Sequence, residues 1–168
     1  FFSTGSDSPV SIDSSTAERP WTPPQATALC APGRTLTPSP SSPDSLGMLM
    51  MDAEQLLEHA RLAAENGLSM AVHAIGDRAN REVLDAYERL RAYERDHLSS
   101  PGLRHRIEHV QLLHPADAGR LAALNVIASM QPIHATSDML MADRYWGSRA
   151  ELSYALRTQL DAGACLAF

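Results

Sequence analysis

Residues 70–77 read Met70-Ala71-Val72-His73-Ala74-Ile75-Gly76-Asp77, and residues 104–111 read Arg104-His105-Arg106-Ile107-Glu108-His109-Val110-Gln111. Each is a short apolar or β-branched run with a histidine near its C-terminal end. Between them, from Asp77 to about Arg95, Val83, Leu84, Tyr87, Leu90 and Arg91 recur at helical spacing. Strand, helix, strand predicts a parallel pair with a crossover helix. Were the two strands neighbours in a parallel barrel, their imidazoles would lie side by side at its mouth, where catalytic metal sites of α/β barrels are built.

The same unit repeats outward in both directions. Upstream, Asp52 and Gln55 form a capping-box pattern, and Leu56, Leu57, Ala60, Leu62 and Ala63 give a helical face that Gly67 ends before a strand over 68–75. Downstream of the strand at 105–111, Pro115 opens a third helix that closes near Asn125, and Val126 to Gln131 is a strand. Arg149 to Asp161 is a fourth helix, Gly163 its stop, and Ala164 to Phe168 a final strand. The order is helix–strand four times, with strands apolar enough to be buried on both faces. This predicts an α/β fold with a parallel sheet; pattern alone allows an open doubly wound sheet and a piece of a barrel equally. No Gly-x-Gly-x-x-Gly turn follows any strand, which argues against dinucleotide binding.

At 168 residues the chain is shorter than the roughly 250 of a complete eight-fold barrel. Its net charge is −6 and it contains no lysine, so all 14 cationic side chains are arginine. No basic cluster suggests nucleic acid as a partner. No apolar run approaches the roughly 18 residues of a membrane span, and no signal peptide is legible. Cys30 and Cys165 lie too far apart in sequence to suggest a disulfide framework or metal pattern. A cytoplasmic location is expected. The chain begins at Phe1 and stops inside an apolar run, so a partial sequence is expected. Residues 1–46 are expected to be disordered or irregular: Ser/Pro runs such as Thr37-Pro38-Ser39-Pro40 sustain neither a helix nor a central strand.

Three histidines occupy corresponding positions. His73 and His109 end consecutive strands, and His134 follows the next strand in Met130-Gln131-Pro132-Ile133-His134-Ala135-Thr136-Ser137-Asp138. A lone histidine at a strand end is more often hydrogen-bonded structure; three in register point to a site. Neighbouring strands lie about 4.8 Å apart, so inward-pointing imidazoles can share one ion. His59, His97 and His114 are expected at the surface or at helix ends. The face of His105 stays open, since its even offset from His109 does not decide it in a short twisted strand. Glu108, alternating with His109, is expected to face the helices or the neighbouring strand. Asp77 is expected to cap a helix, and Met48, Met50 and Met51 to pack near a strand.

These three motifs closely resemble the amidohydrolase family 3 branch of the metal-dependent hydrolases, which includes N-substituted formamide deformylases. The resemblance runs from about Gly47 to Phe168. It implies a (β/α)8 TIM barrel of which this chain holds roughly strands five to eight with their helices, residues 47–168 being truncated within strand eight. It makes His73 and His109 the metal ligands of strands five and six, and His134 a strand-seven residue that binds substrate. The implied cofactor is a divalent metal, zinc by expectation, as one or two ions. The implied reaction is hydrolysis of a non-peptide, amide-type C–N bond in a small molecule by a metal-activated water. The family's strand-one His-x-His, strand-four lysine and strand-eight aspartate are absent, so no catalytic base is expected within the chain and the chain alone is expected to be inactive. Phe1-Phe2 looks like the residues that follow the strand-four lysine. An out-of-frame reading of the gene would account for the Ser/Pro composition that comes next. The alternatives are an inert half-barrel fragment and a non-enzymatic α/β module whose Ser/Pro arm binds a partner.

Overall fold

A computed structural model describes residues 29–31, 46–99 and 102–168. Five parallel strands, β1 (Leu29–Ala31), β2 (Ala71–Ala74), β3 (Arg106–His109), β4 (Ile127–Ser129) and β5 (Leu166–Ala167), lie side by side in chain order. A doubly wound sheet reverses its strand order partway; this one never does, among the described residues, so the fold is α/β with the progression of a barrel wall.

Helices α1 (Ala53–Glu65), α2 (Asp77–His97) and α3 (Arg120–Ala123) cover one face. Val72, Ala74, Ile107 and Ala128 point into that layer, and Leu57, Leu84, Tyr87, Leu90 and Leu121 meet them there, all essentially without solvent exposure. The opposite face carries Ala71, His73, Arg106, Glu108, Ile127 and Ser129, none of which is fully buried. This polar face is the inner one of the barrel-like curve.

Three helix stops work as the sequence predicts, and by one device. After α1, Gly67 takes φ +71° while its N–H reaches Ala64 O at 2.9 Å and the Leu68 N–H reaches Ala63 O at 2.9 Å. Asn125 repeats this pair of bonds after α3, with φ 51°, and Gly163 repeats it after α6 (Leu156–Asp161), with φ 83°. Each left-handed residue satisfies the last carbonyls of a helix and sends the chain directly into a strand. The start of α1 also matches: Asp52 Oδ1 accepts from Gln55 N–H at 2.8 Å and Gln55 Oε1 accepts from Asp52 N–H at 3.2 Å.

Several expectations are corrected. Within residues 1–46, Leu29–Ala31 is a strand, paired Leu29↔Val72 to Ala31↔Ala74. This proline-free triplet satisfies the β2 edge, which otherwise has no partner on that side among the described residues. The rest of that expectation lies outside the described residues, Leu46 excepted. The third helix is split into a 3-10 turn, Pro115–Asp117, and α3. The fourth is split into a 3-10 segment, Gly147–Leu152, and α6, because Tyr154 donates its N–H to Gln111 O at 2.8 Å and Leu112 bridges Ser153, drawing the backbone out of helical geometry. The segment left unassigned after β4 forms α4 (Ile133–Ser137) and α5 (Met139–Trp146). Leu62, expected on the inner face of α1, is exposed, as are Met48 and Met50, whereas Met51 does pack against the core.

Candidate functional site

His73 stands on the inner face of β2, in register with Glu108 of β3. Simple alternation would put His109, the partner of Ala74, on the helix-covered face. The backbone prevents this. His109 and Val110 both have positive φ, 75° and 45°. Two consecutive left-handed residues, one of them β-branched, are costly and rare outside functional sites. The result is that the His109 ring meets His73 edge to face with centroids 4.1 Å apart, and His134 with centroids 5.4 Å apart. The structure thus brings together the three histidines singled out by the sequence.

The environment favours the neutral form of His73 and His109. Burial holds His73 below the ordinary imidazole range, the neighbouring His109 lowers it further, and Glu108 opposes the fall. Burial likewise holds His109 down, reinforced by His134 and opposed by Glu108 and Gln131. His109 Nδ1 is buried with no hydrogen-bond partner. An unpaired imidazole nitrogen beside a second imidazole fits a metal ligand set, since such nitrogens are otherwise costly to bury. Two imidazoles alone do not complete one, and among the described residues no group of three or more His, Cys, Asp or Glu is placed to hold a metal ion.

Glu108 is a correction. It faces the inner side beside His73, not the helices, and pairs with Arg106 Nε at 2.6 Å. The alternation argument fails because it is His109, not Glu108, that departs from the pleat. Asp77 is also corrected: Gly76 is the N-cap of α2, and Asp77 is its first helical residue, buried, with Oδ1 accepting from Arg78 N–H at 2.9 Å and Oδ2 3.7 Å from Arg149 Nη1.

His105 is settled as structural. It is fully buried, its Nδ1 accepts the Met70 N–H at 3.0 Å, and its Nε2 lies 2.8 Å from Glu94 Oε1. Since Nδ1 accepts, the proton sits on Nε2 and is donated to Glu94. Tyr87 stacks on its ring at 5.2 Å. His114 caps the 3-10 turn through Ala116 N–H at 3.2 Å, and His59 and His97 lie on the outer surfaces of α1 and α2, each close to a backbone carbonyl of its own helix.

Residues that sequence reasoning missed hold the site in place. Asn80, fully buried on α2, donates Nδ2–H to Gly76 O and Leu112 O, both at 3.0 Å, tying the loop after β2 to the chain after β3. Its signal in the sequence was a polar residue at helical spacing with Val83, Leu84 and Tyr87 on the buried helix face. Beyond His109, a pocket is lined by Gln111, Met130, Gln131, Pro132, His134, Tyr154 and Leu156. In it, Gln111 Nε2–H donates to Tyr154 Oη at 2.8 Å, and His134 Nδ1 lies 3.1 Å from Asp138 Oδ2. Burial raises the Tyr154 phenol, with Asp138 adding and Gln111 opposing.

Comparison with known proteins agrees with this geometry. The profile of the amidohydrolase family matches residues 19–168. Protein LONG AFTER FAR-RED 3 of Arabidopsis thaliana is 38% identical over 128 residues, 75% of this chain and 21% of that protein. YtcJ of Bacillus subtilis (strain 168), which carries the amidohydrolase name, is 32% identical over 127 residues, 75% of this chain and 23% of that protein. The crystal structure of an uncharacterized metal-dependent hydrolase from Pyrococcus furiosus superimposes with a TM-score of 0.68 at 31% identity, covering 80% of this chain and 26% of that one. The chain therefore spans about a quarter or less of the length of the relatives it matches. No helix among the described residues is long and apolar enough to cross a membrane.

Proposed function

This chain belongs to the amidohydrolase family, and we propose that it forms the two-imidazole side of a metal-dependent hydrolase site acting on a non-peptide, amide-type C–N bond. The observation that carries the reading is the edge-to-face pair of His73 and His109 with a buried, unpartnered His109 Nδ1. His73 and His109 would hold a divalent metal, zinc by the chemistry of imidazole donors. Such an ion, when bound, supplies Lewis acidity and lowers the pKa of water. His134, oriented by Asp138, faces the substrate side. A small acyl or formyl amide fits the motifs, which are similar to those of N-substituted formamide deformylases. A catalytic zinc keeps three protein ligands, so the chain by itself is expected to turn over no amide.

The test is titration of the full chain with Zn²⁺, and with Co²⁺ for its visible spectrum. Histidine-dependent uptake is expected, with His73→Ala and His109→Ala each weakening it at least about tenfold. Uptake unchanged in both variants, or none in the native chain, would overturn the metal assignment and favour a non-enzymatic α/β module.

A further inference from the structure

Tyr154 lies outside the three histidine motifs, yet its backbone and side chain are both held in an unusual way. Its φ is 52°, a left-handed conformation that a tyrosine adopts only at a cost. The Tyr154 N–H donates to Gln111 O at 2.8 Å, and the Gln111 side-chain N–H donates to the Tyr154 phenol oxygen at 2.8 Å. Gln111 thus grips the residue at both ends, and Gln111 follows His109 by two positions on the same chain segment. The phenol oxygen is an acceptor in this bond, so its own proton is directed elsewhere. Among the described residues no acceptor takes that proton. The ring lines the same pocket as His109 and His134, whose remaining wall is Met130, Gln131, Pro132 and Leu156.

We propose that Tyr154 is a substrate-contacting hydrogen-bond donor at the mouth of this pocket, its O–H meeting the carbonyl oxygen of a small acyl or aryl compound whose apolar group rests on the accessible Pro132 and Leu156. The strain at Tyr154 and the double grip of Gln111 fix the donor before the ligand arrives, which is what makes such a bond discriminating. The proposal rests on the amide-hydrolase reading for the chemistry of the ligand, but not on the metal.

The experiment uses the full chain and benzamide, which combines a carbonyl acceptor with an apolar ring, followed by backbone amide shifts of residues 109–111, 131 and 154. Tyr154→Phe keeps the ring and its packing, and should weaken benzamide about tenfold with the Zn²⁺ titration unchanged. Gln111→Leu releases the phenol and should weaken benzamide severalfold. Equal affinity in the native chain and Tyr154→Phe, or no binding by the native chain, would overturn the proposal. Zn²⁺ binding is read separately: loss of Zn²⁺ uptake with tyrosine-dependent benzamide binding sinks the metal assignment alone, and the reverse sinks Tyr154 alone.

Discussion

The rings of His73 and His109 stand 4.1 Å apart although His109 is in register with Ala74 rather than with His73. The contact exists only because the backbone at His109 and Val110 leaves the β region. Ordinary pleating would bury His109 among the helices and leave His73 alone on the inner face.

That backbone turn is testable at Val110. Val110→Gly keeps the left-handed conformation open; it loses about 2 kcal/mol of side-chain burial and recovers about 1 kcal/mol of strain. Metal affinity should survive in this variant. Val110→Pro fixes φ near −65° and should abolish Zn²⁺ uptake. Equal uptake by the two variants would show that the turn does not aim His109.

Asn80 should be costly to replace. Asn80→Leu leaves Leu112 O without its side-chain donor and Gly76 O with only the Asn80 backbone N–H, and should lower stability by about 2 kcal/mol in urea unfolding. Asn80→Asp turns an acceptor toward those carbonyls and should cost more. A loss below about 0.5 kcal/mol for both would mean that backbone contacts alone hold the two loops together.

Stability should fall on acidification through His105. Burial lowers its folded pKa below the ordinary 6.5, against the opposing pull of Glu94. The unfolded chain therefore takes up the proton first as pH falls below 6.5, so the contribution is complete above that value and is lost below it. His105→Gln should lower overall stability yet flatten this acid slope by up to about one proton. An unchanged slope would place the dependence on other groups.

The left-handed helix stops differ in what they tolerate. Gly67→Ala meets no neighbouring atom within 4 Å, so its cost is the backbone alone, about 1 kcal/mol. Asn125→Gly relaxes the same conformation and should be neutral or mildly stabilising. Thermal melting of both separates a conformational cause from a packing one.

The αβ rhythm was legible because its punctuation is chemical: Gly67, Asn125 and Gly163 were each readable as stops, and each is one. The positions of His73, His109 and His134 followed from the ends of apolar runs. What was not legible depends on contacts between distant segments. Nothing local announces the turn at His109 and Val110, so Glu108 was expected toward the helices or the neighbouring strand rather than beside His73 on the inner face. Gln111 captures the backbone at Tyr154 from 43 residues away, which is why a continuous helix over 149–161 was expected. The helices at 133–146 carry exposed Ile133, Met139, Leu140 and Met141, whose pattern gives no clean inward face.

One row across the inner face runs His73, Glu108, Ser129, Ala167 on successive strands. Side-chain bulk falls along it, from imidazole and carboxylate to hydroxymethyl and methyl. The floor is a ramp, high beneath the imidazoles and low toward β5. Space above the sheet therefore opens away from the two imidazoles, toward Ser129 and Ala167 on the β5 side. Larger side chains at Ser129 or Ala167 would level that slope while leaving the register of His73 with Glu108 as it is.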